Sequence, residues 1–154
     1  ITHHRWTPLL NHAAPPRLLI ALLASAASSG VANDCKTARV VSEGFKNLTH
    51  VGHADFYLND ERVSFGTSRG LNVVTIDPGT QEVISKRTYD TWRHRWTEDR
   101  RLATDLNALR RGQIVLVSIM DDGMELLDPA AKDALRSVGA RDLDEGFREG
   151  YALI

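Results

Sequence analysis

Residues 68 to 83 read Ser68-Arg69-Gly70-Leu71-Asn72-Val73-Val74-Thr75-Ile76-Asp77-Pro78-Gly79-Thr80-Gln81-Glu82-Val83, which is a loop, a strand and a turn in succession. Leu71, Val73, Val74, Thr75 and Ile76 are apolar or β-branched and suit a strand. Asp77-Pro78-Gly79 then stops the run with turn residues and sends the chain back through Glu82 to Tyr89, so the stretch predicts a hairpin. Gly70 frees the backbone just before the strand and holds Arg69 on a tight loop at its mouth, where binding groups commonly sit.

The same signals extend outward on both sides. Ala38 to Ser42 alternates as a strand, Ala54 to Leu58 forms another, Asn59-Asp60 turns the chain, and Arg62 to Phe65 returns as a third. Beyond the hairpin, a loop carries Asp90, Trp92, His94 and Trp96. Thr97 then serves as N-cap of a helix, with Glu98 and Asp99 in its first turn. Leu102, Leu106 and Leu109 line one face of that helix, and Arg110-Arg111-Gly112 closes it. Gln113 to Met120 is apolar on both alternating sets and predicts a central strand covered on both faces. Asp121-Asp122-Gly123 ends that strand. Asp128-Pro129 caps a second helix with stripe Ala131, Ala134, Leu135 and Val138, closed by Gly139, and Phe147 to Ile154 predicts a last strand.

The 154 residues suffice for one domain with its own core. Lys and Arg number 19 against 20 Asp and Glu, and no basic run exceeds two residues, so a nucleic-acid footprint is missing and polyanions are not the expected partners. The single cysteine, Cys35, excludes an internal disulfide framework.

The N-terminal part differs in kind. After Pro15-Pro16-Arg17, residues Leu18 to Ala27 form an apolar run of about ten residues, below the ~20 that a membrane-crossing helix needs. It ends in Ala24-Ser25-Ala26, the small-x-small pattern of a signal-peptidase site. The reading is an apolar N-terminal helix of targeting or anchor type, retained and packed against lipid or a partner chain. The expected organisation is an extension over 1 to 30, a linker over 31 to 37 and a domain over 38 to 154.

Arg69-Gly70-Leu71-Asn72-Val73, Asp77-Pro78 with Glu82-Val83, Tyr89-Asp90-Thr91-Trp92, Gly112-Gln113-Ile114-Val115-Leu116, Asp121-Asp122-Gly123, Ala134-Leu135 to Val138-Gly139, and Gly146-Phe147-Arg148 to Tyr151-Ala152 resemble, in order and spacing, the ILEI/PANDER-like domain family. That family includes secreted cytokine-like proteins and the stem domain of a protein O-mannose N-acetylglucosaminyltransferase. The resemblance implies an α+β fold of two small, mainly antiparallel sheets flanked by helices, and a non-catalytic module without a cofactor. The cytokine-like members carry paired cysteines that this chain lacks.

The resemblance to the sugar-binding stem domain further implies that Arg69, Asp121 and Arg148 contact a glycan. Guanidinium forks beside a carboxylate suit paired sugar hydroxyls, and Trp92 or Tyr151 could supply an aromatic platform. An ion-paired network fixing three loops is the competing account of the same three residues.

Other patterns carry less. Gly66-Thr67-Ser68-Arg69-Gly70 fits the spelling of a nucleophile elbow, but strand residues follow where that motif needs a helix. His50 and His53 suggest no third metal ligand, and Asp121-Asp122-Gly123 lacks the alternating acids of a calcium loop, so no metal site is expected. Asn47-Leu48-Thr49 is a glycosylation sequon if the chain enters the secretory pathway. Trp92 and Trp96 read either as packing or as an interface patch.

Two functions follow. One is a carbohydrate- or protein-binding module held to a membrane or partner through the N-terminal segment, on the lumenal or extracellular side of a membrane. The other is a structural accessory subunit of a membrane assembly, for example in a photosynthetic or other organellar complex. Neither is an enzyme, because nucleophile, base and orienter cannot be placed together.

Overall fold

A computed structural model describes residues 37–45, 52–144 and 146–154 in full and residues 17–22 as backbone. The strands are β1 (Arg17–Leu22), β2 (Thr37–Gly44), β3 (Ala54–Leu58), β4 (Glu61–Arg62), β5 (Gly70–Ile76), β6 (Val83–Tyr89), β7 (Ile114–Asp121) and β8 (Ala152–Leu153). Two helices, α1 (Arg95–Asn107) and α2 (Pro129–Ser137), flank β7 in the chain.

The strands form one curled sheet in the order β4-β3-β2-β7-β5-β6, with β1 added on β2 and β8 on β7. Two separate small sheets were expected. Their counterparts are two antiparallel halves, β1 to β4 and β5 to β8, joined where the ends of β2 and β7 run parallel through Glu43↔Met120 and Gly44↔Asp121. Every other pairing is antiparallel. The junction escaped the sequence because two residue pairs between strands about eighty residues apart leave no local pattern.

The hairpin organises the larger half. β5 pairs with β6 from Leu71↔Tyr89 to Ile76↔Val83, and with β7 from Gly70↔Met120 to Ile76↔Ile114. Asp77 Oδ1 accepts from the Gly79 and Thr80 amides and fixes the turn. As the continuous apolar run predicts, β7 is central and covered on both faces. Val115, Val117 and Ile119 join Leu71, Val73, Leu102, Leu106, Ala131 and Leu135 under the helices, whereas Leu116 joins Val74, Ile76, Ala38, Val40 and Phe56 inside the curl.

Several boundaries differ from the sequence reading. The third strand shrinks from Arg62–Phe65 to the two residues of β4, and the last strand from Phe147–Ile154 to β8. The first helix starts two residues before Thr97, on His94 as N-cap with no side-chain cap hydrogen bond. The apolar run read as an N-terminal helix is, over its described part, the strand β1, paired with β2 from Arg17↔Ser42 to Leu22↔Thr37. A short apolar run without periodicity suits either element, and an open strand edge decides for pairing. Residues 23 to 27 of that run, Cys35, Asn47 and His50 lie outside the described residues.

Candidate functional site

The topology brings four loops to one end of the sheet. β5 begins there at Gly70, β6 ends there at Tyr89, β7 ends at Asp121 and β2 at Gly44, because Gly70 lies opposite Met120 and Gly44 opposite Asp121. Backbones approach closely at this end. Gly70 has φ +94°, and a Cβ there would collide with the Tyr89 carbonyl oxygen; a Cβ on Gly44 would collide with the carbonyl of Arg148. Only glycine fits either position.

Arg69 and Asp90 form the best-defined pair of the rim. The Arg69 guanidinium donates through Nε to Asp90 Oδ1 at 3.1 Å and through Nη2 to Oδ2 at 2.8 Å, a bidentate fork. Asp90 Oδ1 also accepts the Arg93 amide at 3.0 Å. Burial pushes the Asp90 carboxyl up, but the Arg69 hydrogen bond and the Arg93 amide outweigh it and leave the group below its ordinary range. The hydrogen bond to Asp90 holds Arg69 more firmly protonated, and the charges of Asp121 and Asp122 add to this. The Arg69 guanidinium also lies 4.8 Å from the centroid of the Trp92 ring, which is 40% exposed.

Arg148 and Asp121 form a second, looser pair, with Nε 3.6 Å from Asp121 Oδ1. The Arg148 guanidinium lies 4.8 Å from the ring centroids of both Phe45 and Phe147. Both members of the pair have left-handed backbones, φ 64° at Asp121 and 57° at Arg148. Side chains rarely adopt that conformation, and it marks a constrained rim. Next to them Asp122 is buried, and burial raises its pKa against the opposing hydrogen bonds from the Arg148 and Gly123 amides. Neither Asp121 Oδ1 nor Asp122 Oδ2 has a hydrogen-bond partner.

The two pairs share one rim. Thr91 Oγ1 donates to the Gly123 carbonyl at 2.9 Å, tying the loop after β6 to the acidic turn. Of the two aromatic candidates, Trp92 stands beside Arg69. The ring of Tyr151 packs on the core under the helices, and its hydroxyl donates to the Arg141 carbonyl at 3.0 Å and accepts the Arg141 amide. Sequence reading passed over Asp90 as a partner, although Tyr89-Asp90-Thr91-Trp92 had been singled out; the bridge spans a hairpin whose register decides which acid meets Arg69. Ser68 is followed by the strand β5, so the nucleophile-elbow spelling has no elbow behind it. His53 is exposed and 3.9 Å from Glu43, and among the described residues no three metal-ligating side chains cluster.

Residues 69–154, more than half of the chain, match the family described as interleukin-like EMT inducer. The human protein named cell migration-inducing and hyaluronan-binding protein is 36% identical over 87 residues, which is 56% of this chain and 6% of that protein. The human protein named cell surface hyaluronidase CEMIP2 is 29% identical over 106 residues, 63% of this chain and 8% of the relative. Bovine protein FAM3C is 28% identical over 92 residues, 59% of this chain and 39% of the relative. The alignments therefore cover less than half the length of each of these relatives.

Proposed function

The chain belongs to the interleukin-like EMT inducer family, and from that premise we propose that it is a binding module whose ligand is a glycan, held at the rim by Arg69, Asp121 and Arg148 over the Trp92 platform. The observation that carries this reading is the pairing at one sheet end of two guanidinium groups, each beside an acid and over an aromatic ring, on loops tied together by Thr91. Sugar hydroxyls are recognised by such fixed donors and acceptors in pairs, and an indole face suits the apolar side of a sugar ring. A relative named for hyaluronan binding supports a carbohydrate ligand. Binding without catalysis is the reading, because Asp90 is committed to Arg69 and Asp121 faces Arg148.

The site is placed on the lumenal or extracellular side of a membrane, a reading supported by a relative named for the cell surface. No helix among the described residues is long and apolar enough to cross a membrane. The accessory-subunit alternative rested on an apolar helix at Leu18 to Ala27, and with β1 paired to β2 it has less support.

Isothermal titration of the full chain against a panel of oligosaccharides tests the proposal. Arg69→Ala and Trp92→Ala should each weaken binding about tenfold or more, equivalent to about 1.4 kcal/mol. Trp92 is partly exposed, so its truncation leaves the core intact and separates lost binding from lost folding. Failure of every sugar to bind the wild-type chain, or binding indifferent to both variants, refutes the glycan reading.

A further inference from the structure

The solvent face of α1 departs from the polar face that a surface helix normally shows to water. Asp99, Leu102, Ala103 and Leu106 are buried, and the opposite face presents Trp96, Arg100 and Thr104 at four-residue steps. Trp96 is 74% exposed, although a tryptophan is among the side chains that bury most area in a fold. Arg95 lies over its ring, 4.5 Å from the centroid. Arg93 stands three residues ahead of Trp96, its backbone held by the hydrogen bond from its amide to Asp90.

The acids of this region are already engaged. Asp90 holds Arg69, Glu98 pairs with Arg101, and Asp99 is buried and accepts the Asp128 amide. Among the described residues, no carboxylate forms an ion pair with Arg93, Arg95 or Arg100. A near-zero charge over the whole chain thus conceals a local excess of positive charge around an exposed indole.

Such a face suits either a protein with a matching acidic surface or an anionic bilayer. A stable protein interface covers about 800 Å² on each partner and centres on clustered apolar anchors. Here Trp96 heads the face alone, Arg100 and Thr104 follow it, and Trp92 lies under Arg69 at the rim. A bilayer asks for less. Indoles settle at the membrane–water boundary, and each arginine brought to an anionic surface raises partitioning about fivefold. We propose that this face of α1 docks on an anionic phospholipid surface, with the Trp96 indole among the headgroups and Arg93, Arg95 and Arg100 on the lipid phosphates and carboxylates. The contact uses none of Arg69, Asp121 and Arg148, so it goes beyond the glycan reading and does not depend on it. It would hold the chain to a membrane without a spanning helix.

Co-sedimentation of the full chain with vesicles tests the proposal, using phosphatidylcholine alone and a mixture rich in phosphatidylserine. The anionic vesicles should bind at least about tenfold more tightly, and the preference should shrink as salt rises. Arg93→Gln with Arg95→Gln and Arg100→Gln should remove the preference. Arg110→Gln with Arg111→Gln and Arg136→Gln takes the same charge from exposed positions near the C-terminal ends of α1 and α2 and should leave most of it. Both triple variants should keep the wild-type urea midpoint. Brominated phosphatidylcholine in the anionic vesicles should quench tryptophan emission, and Trp96→Phe should lose most of that quenching.

Equal affinity for neutral and anionic vesicles overturns the proposal. An equal loss in the two triple variants overturns it as well, because the attraction then belongs to the charge of the whole chain. Quenching that survives Trp96→Phe places another part of the chain in the membrane. Polyglutamate that displaces the protein from anionic vesicles at equal charge assigns the face to an acidic protein instead. Should a triple variant lose stability, the Trp96→Phe comparison decides alone. None of these vesicles carries a sugar, so every outcome leaves the glycan reading where it stands.

Discussion

At the scale of single residues, the buried acid Asp99 is the group most out of balance with its surroundings. It is 1% exposed, its Oδ2 accepts the Asp128 amide at 3.0 Å, and its Oδ1 has no partner. Burial, and secondarily the nearby Asp128 charge, raise its pKa to about 6. In the unfolded chain the same group titrates near ~3.9. The folded state therefore binds the proton more tightly, and the stability it contributes is complete below about pH 4 and is lost as pH rises through about 6. At pH 7 the charged carboxylate is a net cost. Asp99→Asn, which keeps an acceptor for the Asp128 amide, should stabilise the protein by about 1–2 kcal/mol at pH 7 and by little at pH 4. Urea midpoints at the two pH values measure this, and a variant less stable at pH 7 than wild type contradicts it. Gly70 makes a complementary case. Alanine there combines φ +94° with a collision against Tyr89, whereas Gly139 has a similar φ of +100° but open space around it. Gly139→Ala should cost about 1 kcal/mol and Gly70→Ala at least ~3 kcal/mol, so equal losses would mean that the rim can give way.

At the scale of elements, the two helices are held at their starts by different means. Asp128 caps α2 by accepting the Ala131 amide at 2.7 Å, with Pro129 at the first helical position, and both features are plain in the sequence. In α1 the cap residue is His94, whose side chain bonds no helix amide; Thr97 had the better credentials but instead donates its hydroxyl to the His94 carbonyl. The chain turns early because Asp90 accepts the Arg93 amide and so fixes the preceding loop, a contact set by the hairpin rather than by local propensity. Asp128→Ala should destabilise by about 1 kcal/mol at pH 7, the usual cost of an N-cap. Because the same substitution relieves the repulsion on Asp99, its cost should be larger in the Asp99→Asn background. A double-mutant cycle with additive effects would deny the coupling. Legibility follows the same division. The hairpin, β3, β7 and α2 could be read because turn chemistry and periodicity are local. Missed were the helical start at His94, the strand β1 within an ambiguous apolar run, and Asp90 as the partner of Arg69. Gly70 marked Arg69 locally as a loop residue at the strand's mouth, but its grouping with Asp121 and Arg148 was legible only through a family likeness, since nothing local says that loops fifty residues apart meet.

At the scale of the whole molecule, the two halves of the sheet are unequal. The half containing β5 to β8 has the larger core, between the sheet and both helices, whereas Ala38, Val40 and Phe56 of the other half pack with Val74, Ile76 and Leu116 inside the curl, with partly buried Leu58, Val63 and Phe65 against them. Two parallel residue pairs join the halves, and Ser42 reinforces the junction. Its hydroxyl donates to the Ile119 carbonyl at 2.6 Å and accepts the Tyr151 amide at 2.9 Å and the Ile119 amide at 3.2 Å. Among the described residues, the buried side chains of the smaller half share their cluster with Val74, Ile76 and Leu116 of the larger one, so the smaller half should open first. Native-state hydrogen exchange should show lower opening free energies for amides in β2 and β3 than for those in β5 and β7. Ser42→Ala, which leaves buried backbone groups short of partners, should cost about 2 kcal/mol. Most of that loss should appear as faster exchange in β2 and β3. The consequence reaches the rim, because Phe45 follows β2 and stacks on Arg148, while Arg69, Asp90 and Trp92 belong to the larger half. Opening of the smaller half should therefore loosen the Arg148 side of the site and spare the Arg69 side. Ser42→Ala should weaken glycan binding by about as much as Arg148→Ala or less, and the two effects should not add. Uniform acceleration of exchange across both halves would instead make the sheet a single cooperative unit and remove this asymmetry from the site.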